Sequence, residues 1–204
     1  MEIKERILQA SHELFFKFGI KSITMDDISK HLAISKKTIY KFFEDKDHIV
    51  NALCHSDLHD RECVFSEIAR KSDNAIDEMM KTMKHLGEMF SQMNPNLFYD
   101  LQKYHHSAWK QFRQFKEQFI MDIVEKNIKK GMEQGLYRSD INAKIMARFR
   151  IEQVEMAMNP EIFPPDKFNL TMVQMALLDH FLHGITTIKG HKLINKYKQI
   201  PDEE

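Results

Sequence analysis

The residues best suited to chemistry lie between Thr24 and Lys46, in the run T-M-D-D-I-S-K-H-L-A-I-S-K-K-T-I-Y-K-F-F-E-D-K. From Ser29 to Phe43 there is no acidic residue, yet Lys30, Lys36, Lys37 and Lys41 are present beside Ser35, Thr38 and Tyr40. If Ile39, Phe42 and Phe43 point inward on a short helix, Lys36, Lys37, Thr38, Tyr40 and Lys41 are left outward. A free face of ammonium and hydroxyl groups suits phosphate oxygens and base edges in a DNA major groove.

Such a face needs elements that hold it. Thr24 can cap a first helix, with Asp27 three residues on to return the hydrogen bond. Ile28 and Leu32, one turn apart, supply the buried side of that helix. Ala33 and Ile34 make a turn, and Ser35 caps the second helix. Upstream, Ile3, Ile7, Leu8, Ala10, Leu14, Phe15 and Phe18 trace an apolar stripe that Gly19 ends, so a first helix can pack across the other two. Asp45 caps a fourth helix carrying Ile49, Val50, Leu53, Val64, Phe65 and Ile68, with a candidate seam at its polar exit, Lys71–Asp73.

The arrangement resembles the DNA-binding domain of the tetracycline-repressor (TetR) family. Thr24, Ile28, Ser29, Ile34, Ser35, Thr38, Ile39, Tyr40, Phe43 and Lys46 fill the places of that family's motif, while Ala33 stands where its turn glycine is usual. If position 33 needs a positive φ, alanine costs roughly 1 kcal/mol there. The resemblance implies that Lys36, Lys37, Tyr40 and Lys41 face DNA, helped by Thr24, Ser35, Thr38 and Lys46. Thr24, Lys46 and the N–H groups at helix starts would bind phosphate. Tyr40 would donate to phosphate, Lys36 and Lys37 would reach guanine, and Thr38 would touch a thymine methyl or serve its own helix.

Composition sets bounds. The chain has 204 residues, 43% hydrophobic and 29% charged, which suits a globular protein of one or two domains. Lys+Arg and Asp+Glu are both 30, so the basic character is local rather than global. No apolar run approaches the ~18–20 residues that span a bilayer. The start M-E-I-K-E-R lacks a signal-peptide layout. Two cysteines make no disulfide framework, so a cytoplasmic protein is expected. With 6 Gly and 5 Pro and helical periodicity throughout, the expected fold is all-α, about nine helices. Residues 1–50 would form the helix-turn-helix domain (motif about 24–43), 51–190 a helical effector-binding and dimerisation domain, and 191–204 a tail.

In the second domain, helices are expected over Ile76 to Met93, Leu97 to Tyr104, Ser107 to Gln134, Ser139 or Asp140 to Met158, and Asp166 to Lys189. Many of the 14 Met and 15 Phe fall between Ile76 and Ile123. Met79, Met83, Met89, Phe90, Phe98, Tyr104, Trp109, Phe112 and Phe119 could line a pocket for a mainly apolar small molecule, although such stripes also simply fill a core. A single reading unit makes few contacts, so a homodimer is expected. Its candidate interface is Ile145, Met146, Phe149 and Met156 with Leu170, Val173, Leu177, Phe181, Ile185 and Ile188. Gly184 would permit close approach of another backbone. The resemblance implies a four-helix dimer bundle.

His55, His59 and Cys63 share a helix face at i, i+4, i+8, but one face closes no tetrahedral shell, so no metal is assigned. There is no G-x-S-x-G, H-E-x-x-H or glycine-rich phosphate loop, and no cofactor or catalytic residue is expected. The reading is a transcriptional regulator, a repressor by resemblance, that binds a palindromic operator in double-stranded DNA as a homodimer and leaves it when a small apolar effector binds. Its rivals are a DNA-binding dimer without effector, and a helical module that does not bind DNA.

Overall fold

A computed structural model describes residues 2–199. Among these the chain is helical, with one isolated bridge, Tyr137 to Thr186, as its only β pairing. The helices are α1 (Ile3–Phe18), α2 (Met25–His31), α3 (Lys36–Tyr40), α4 (Lys46–Lys71), α5 (Ala75–Gln92), α6 (Leu97–Tyr104), α7 (His106–Phe115), α8 (Met121–Glu133), α9 (Ala143–Ala157), α10 (Leu170–Ile185) and α11 (Ile188–Lys198). A π-helical turn, Lys116–Ile120, joins α7 to α8. No helix among the described residues is long and apolar enough to cross a membrane.

The chain divides into two compact units that are not consecutive in sequence. The first holds the chain up to Glu62 together with Gln92–Phe115. Its core gathers Ile7, Ile28, Ile39, Phe43 and Ile49, all close to fully buried, with Leu101 of α6 and Ala108 of α7. A reciprocal capping box between Glu2 and Glu5 starts α1. The His48 N–H donates to Asp45 Oδ1 at 2.8 Å, so Asp45 opens α4. His105 Nδ1 lies 2.7 Å from Asp47 Oδ1, tying the end of α6 to the first turn of α4.

The second unit holds Cys63–Ser91 and the chain from Lys116 onward. Ala75, Ile76, Met79 and Met83 of α5 pack there with Ile128, Tyr137, Ala147, Leu178, Leu182 and Ile194. Gly131 is needed because a Cβ there would stand 2.1 Å from the Tyr137 ring. That ring's hydroxyl donates to the Ala75 carbonyl at 3.2 Å, beside Asn127 Nδ2 on the same oxygen at 2.9 Å.

The C-terminal layout differs from the sequence expectation. The single helix expected over Asp166 to Lys189 is two. α10 starts at the Asn169 cap and ends at Thr186; Thr187 then caps α11, accepting from the Gly190 N–H at 3.2 Å. Residues 191–198, expected as tail, continue α11, while 200–204 lie outside the described residues. Gly190 is not a stop: a Cβ there would lie 2.3 Å from the Leu136 carbonyl oxygen, so the glycine admits a close crossing. The start expected at Ser139 or Asp140 falls instead at Asn142, whose side chain accepts from the Ile145 N–H at 3.0 Å. Asp140 is held by Arg138 at 2.7 Å.

Candidate nucleic-acid interface

α2 and α3 are short, and their caps decide their geometry. Thr24 Oγ1 accepts from the Asp27 N–H at 3.2 Å and donates to Asp27 Oδ2 at 2.6 Å. The Thr24 N–H donates to the same carboxylate oxygen at 2.8 Å, which closes the capping box. These bonds from Thr24 hold the Asp27 carboxyl below its usual pKa. Ser35 Oγ accepts from the Thr38 N–H at 3.1 Å and lies 2.9 Å from Thr38 Oγ1. The Thr38 hydroxyl is therefore engaged by its own helix.

Between them the Ile34 N–H reaches the Ser29 carbonyl at 3.0 Å and the Ala33 N–H reaches that of Lys30 at 3.1 Å. This is a Schellman closure, and it places Ala33 at φ 53°, in the left-handed region. The turn keeps the shape that glycine would favour, with alanine bearing the strain.

Ile39 and Phe43 are buried, which fixes the opposite side of α3 outward. Lys37, Tyr40 and Lys41 are exposed, with Tyr40 at 51%. Lys36 Nζ pairs with Asp26 at 2.5 Å, across from α3 to the first turn of α2. Both partners are half in solvent, so a phosphate or base edge can compete for this lysine.

Lys46, expected to bind phosphate, is engaged within the chain. Its Nζ donates to the Ile20 and Ile23 carbonyls, each at 3.0 Å. Burial lowers its pKa. The ammonium thus fastens the α1–α2 connection to the start of α4.

A second surface lies on α9 and α10, which pack side by side. Ile145, Phe149 and Met156 stand on one exposed side of α9, with Ile145 at 60% and Phe149 at 50%. On α10 the outward apolar residues are Met172, at 73%, and Met175, which the sequence stripe passed over. Of the residues expected at an interface, Gly184 and Ile188 are exposed, and Met146, Leu170 and Leu177 are half-buried. Val173, Phe181 and Ile185 are instead buried in their own subunit, because the most apolar stripe of α10 faces its own core. Gly184 meets nothing within 4 Å of a built Cβ.

The expected pocket residues fall into both units. Met79, Met83 and Phe90 are buried in the second, where Met89 and Phe119 are half-buried. Phe98, Tyr104, Trp109 and Phe112 belong to the first. There Phe112 stacks on Trp109 and meets Phe98 at a tilt, with ring centroids 5.3 Å apart in each pair, and Tyr104 is exposed under Lys21 and Lys103.

Residues 7–53 match the family of bacterial regulatory proteins named tetR. Over 184 residues, 89% of this chain and 95% of its relative, the chain is 26% identical to the HTH-type transcriptional regulator YvaF of Bacillus subtilis. A TetR-family transcriptional regulator from Agrobacterium tumefaciens shares the fold at a TM-score of 0.75 and 17% identity, over 90% of this chain and 97% of that one. The Bacillus subtilis regulator FadR, solved in complex with stearoyl-CoA, shares it at a TM-score of 0.65 and 14% identity, over 89% and 98%.

Proposed function

Because the chain belongs to the tetR family of bacterial transcriptional regulators, we propose that it is a ligand-responsive repressor that binds a palindromic operator as a homodimer. The observation that carries this reading is the α2–α3 pair: two capped helices, a Schellman turn and an outward face of Lys36, Lys37, Tyr40 and Lys41. α3 lies in the major groove, with Lys36 and Lys37 on base edges and Tyr40, Lys41 and the first turn of α2 on phosphates.

The exposed apolar sides of α9 and α10 supply the dimer contact. Ile145, Phe149, Met156, Met172 and Gly184 meet their dyad mates, since large exposed apolar residues gathered on two adjacent helices mark an interaction surface. The effector enters the second unit near Met79 and Met83 of α5. FadR, solved in complex with stearoyl-CoA and alike in fold, supports a ligand-taking role. α4, one continuous helix with residues in both units, carries the response. Moving a dimer from 99% competent to 1% requires about 5.5 kcal/mol of differential effector affinity.

Selection from a random duplex library tests the reading. The expected product is an inverted repeat with half-site centres ~34–36 Å apart or a multiple of that. Enrichment of no sequence, or only of single asymmetric sites, contradicts it.

A further inference from the structure

Arg150 on α9 is 2% exposed, yet its Nη1 has no hydrogen-bond partner among the described residues. Its Nη2 donates to Met83 Sδ at 2.9 Å, and the guanidinium sits 5.8 Å from the centroid of the Phe181 ring. A thioether is a weak acceptor and an aromatic face a diffuse one, so neither replaces the water that a buried cation has lost. The nearby acids of the same helix are committed elsewhere: Glu155 to Lys116 at 2.7 Å, and Glu152 to Arg148 at 3.4 Å. Burial, with no carboxylate to offset it, brings the Arg150 pKa down to about 10.

Two further polar atoms in this layer are buried without partners, Gln153 Oε1 and Gln174 Oε1. Gln153 lies one turn beyond Arg150 on the same helix. Gln174 donates its Nε2 to the Val154 carbonyl at 2.9 Å, which anchors the amide and leaves its oxygen as a free acceptor. The packed pair α9 and α10 thus holds one under-satisfied cation, in contact with Met83 of α5, and two unused acceptors. Native interiors pair nearly all such groups, so an unfilled set on two packed helices points to a missing ligand.

We propose that Arg150 anchors the acidic group of the effector, an organic carboxylate with an apolar body. The carboxylate oxygens take Arg150, and a hydroxyl or N–H of the same molecule takes Gln153 or Gln174. The inference rests on the effector-responsive reading above and narrows its ligand class. Met83 is the placeholder. Its unbranched side chain can swing away, and a carboxylate oxygen is a much stronger, charge-assisted acceptor than sulfur. Met83 and Phe181 then face the apolar body, while an organic cation is repelled by the guanidinium.

The test is isothermal titration of the purified full chain with straight-chain and aromatic carboxylates, from acetate to dodecanoate and benzoate to phenylacetate. Each acid is run against its primary amide. At least one carboxylate is expected to bind, with its amide roughly tenfold weaker or more, since the neutral group forgoes the charge-assisted bond. Arg150→Met, which removes an unpaired buried charge and keeps the volume similar, is expected to melt cooperatively and to bind that acid roughly thirtyfold weaker or more. Arg150→Lys should fall between the two.

Acids and amides of equal affinity, unchanged affinity in Arg150→Met, or no carboxylate bound by the native protein would each overturn the inference. If neutral compounds release a selected operator duplex and carboxylates do not, the ligand assignment fails and the regulator reading stands. If no duplex is ever enriched but the acid still binds through Arg150, the regulator reading fails and this site stands.

Discussion

The α2–α3 region and the α9–α10 region handle polarity in opposite ways. Around α3 the apolar side chains Ile39 and Phe43 are inside, and the cations stand in solvent or pair at the surface with an acid such as Asp26. Across α9 and α10, Ile145, Phe149 and Met172 stand in solvent while Arg150, Gln153 and Gln174 are buried with unpaired atoms. The first region is complete as a folded object and leaves its charge at the surface. The second is incomplete twice over, with apolar surface that needs covering and polar atoms that need partners. Exposed apolar and buried polar groups are the informative exceptions in a folded chain. In the reading proposed above, they are where a second subunit and a ligand would belong.

Placing charge on the apolar side should have the largest effect. The double variant Phe149→Glu, Met172→Glu is expected to weaken dimerisation by about 100-fold or more in sedimentation equilibrium, since two carboxylates would be desolvated against apolar partners. Its thermal transition at low protein concentration should be almost unchanged, because both positions are exposed in the subunit. A dimer of native affinity would mean that α9 and α10 serve some other contact.

The reading side sharpens through Lys36. Lys36→Ala is expected to cost ~1–3 kcal/mol at a single operator position, visible as a relaxed base in the selection profile. A uniform loss across all sequences would return this lysine to the phosphate backbone.

Lys46 separates positioning from contact. Lys46→Ala is expected to lower unfolding stability by ~1–2 kcal/mol in urea titration, through loss of two charge-assisted bonds to the Ile20 and Ile23 carbonyls. The salt dependence of DNA affinity should keep its slope. A slope smaller by about one unit would instead make Lys46 a phosphate ligand.

The smallest change is a gain. Ala33→Gly should raise stability by about 0.5 kcal/mol, because the relief of left-handed strain exceeds the extra chain entropy that glycine loses. A loss on the same urea titration would show that the turn carries no strain.

Local signals made the first unit legible in the sequence. Thr24, Ser35 and Asp45 each open a helix, and the apolar spacing of Ile28, Ile39, Phe43 and Ile49 places them in one core. What lay hidden depended on contacts distant in sequence. The packing of α6 and α7 with α1 and α4 brings Trp109 and Phe112 to the first core. Lys46 reaches carbonyls more than twenty residues earlier. Gly190 carried a misleading signal, since a glycine serving a close crossing looks like a glycine ending a helix. Arg150 was readable by period, for it falls with Ala143, Ala147, Val154 and Ala157 on one stripe of α9. A charge in that register is the sequence trace of the buried site. The most apolar side of α10 faces its own core, and the exposed side carries Met172, Met175 and Gly184, which an apolar stripe does not single out.

The mass of the protein bound to its selected duplex, measured by sedimentation, bears most directly on the account. Two chains on one duplex, reduced to weak or single occupancy by Phe149→Glu with Met172→Glu, is the predicted result. One native chain bound tightly to an asymmetric site would contradict it.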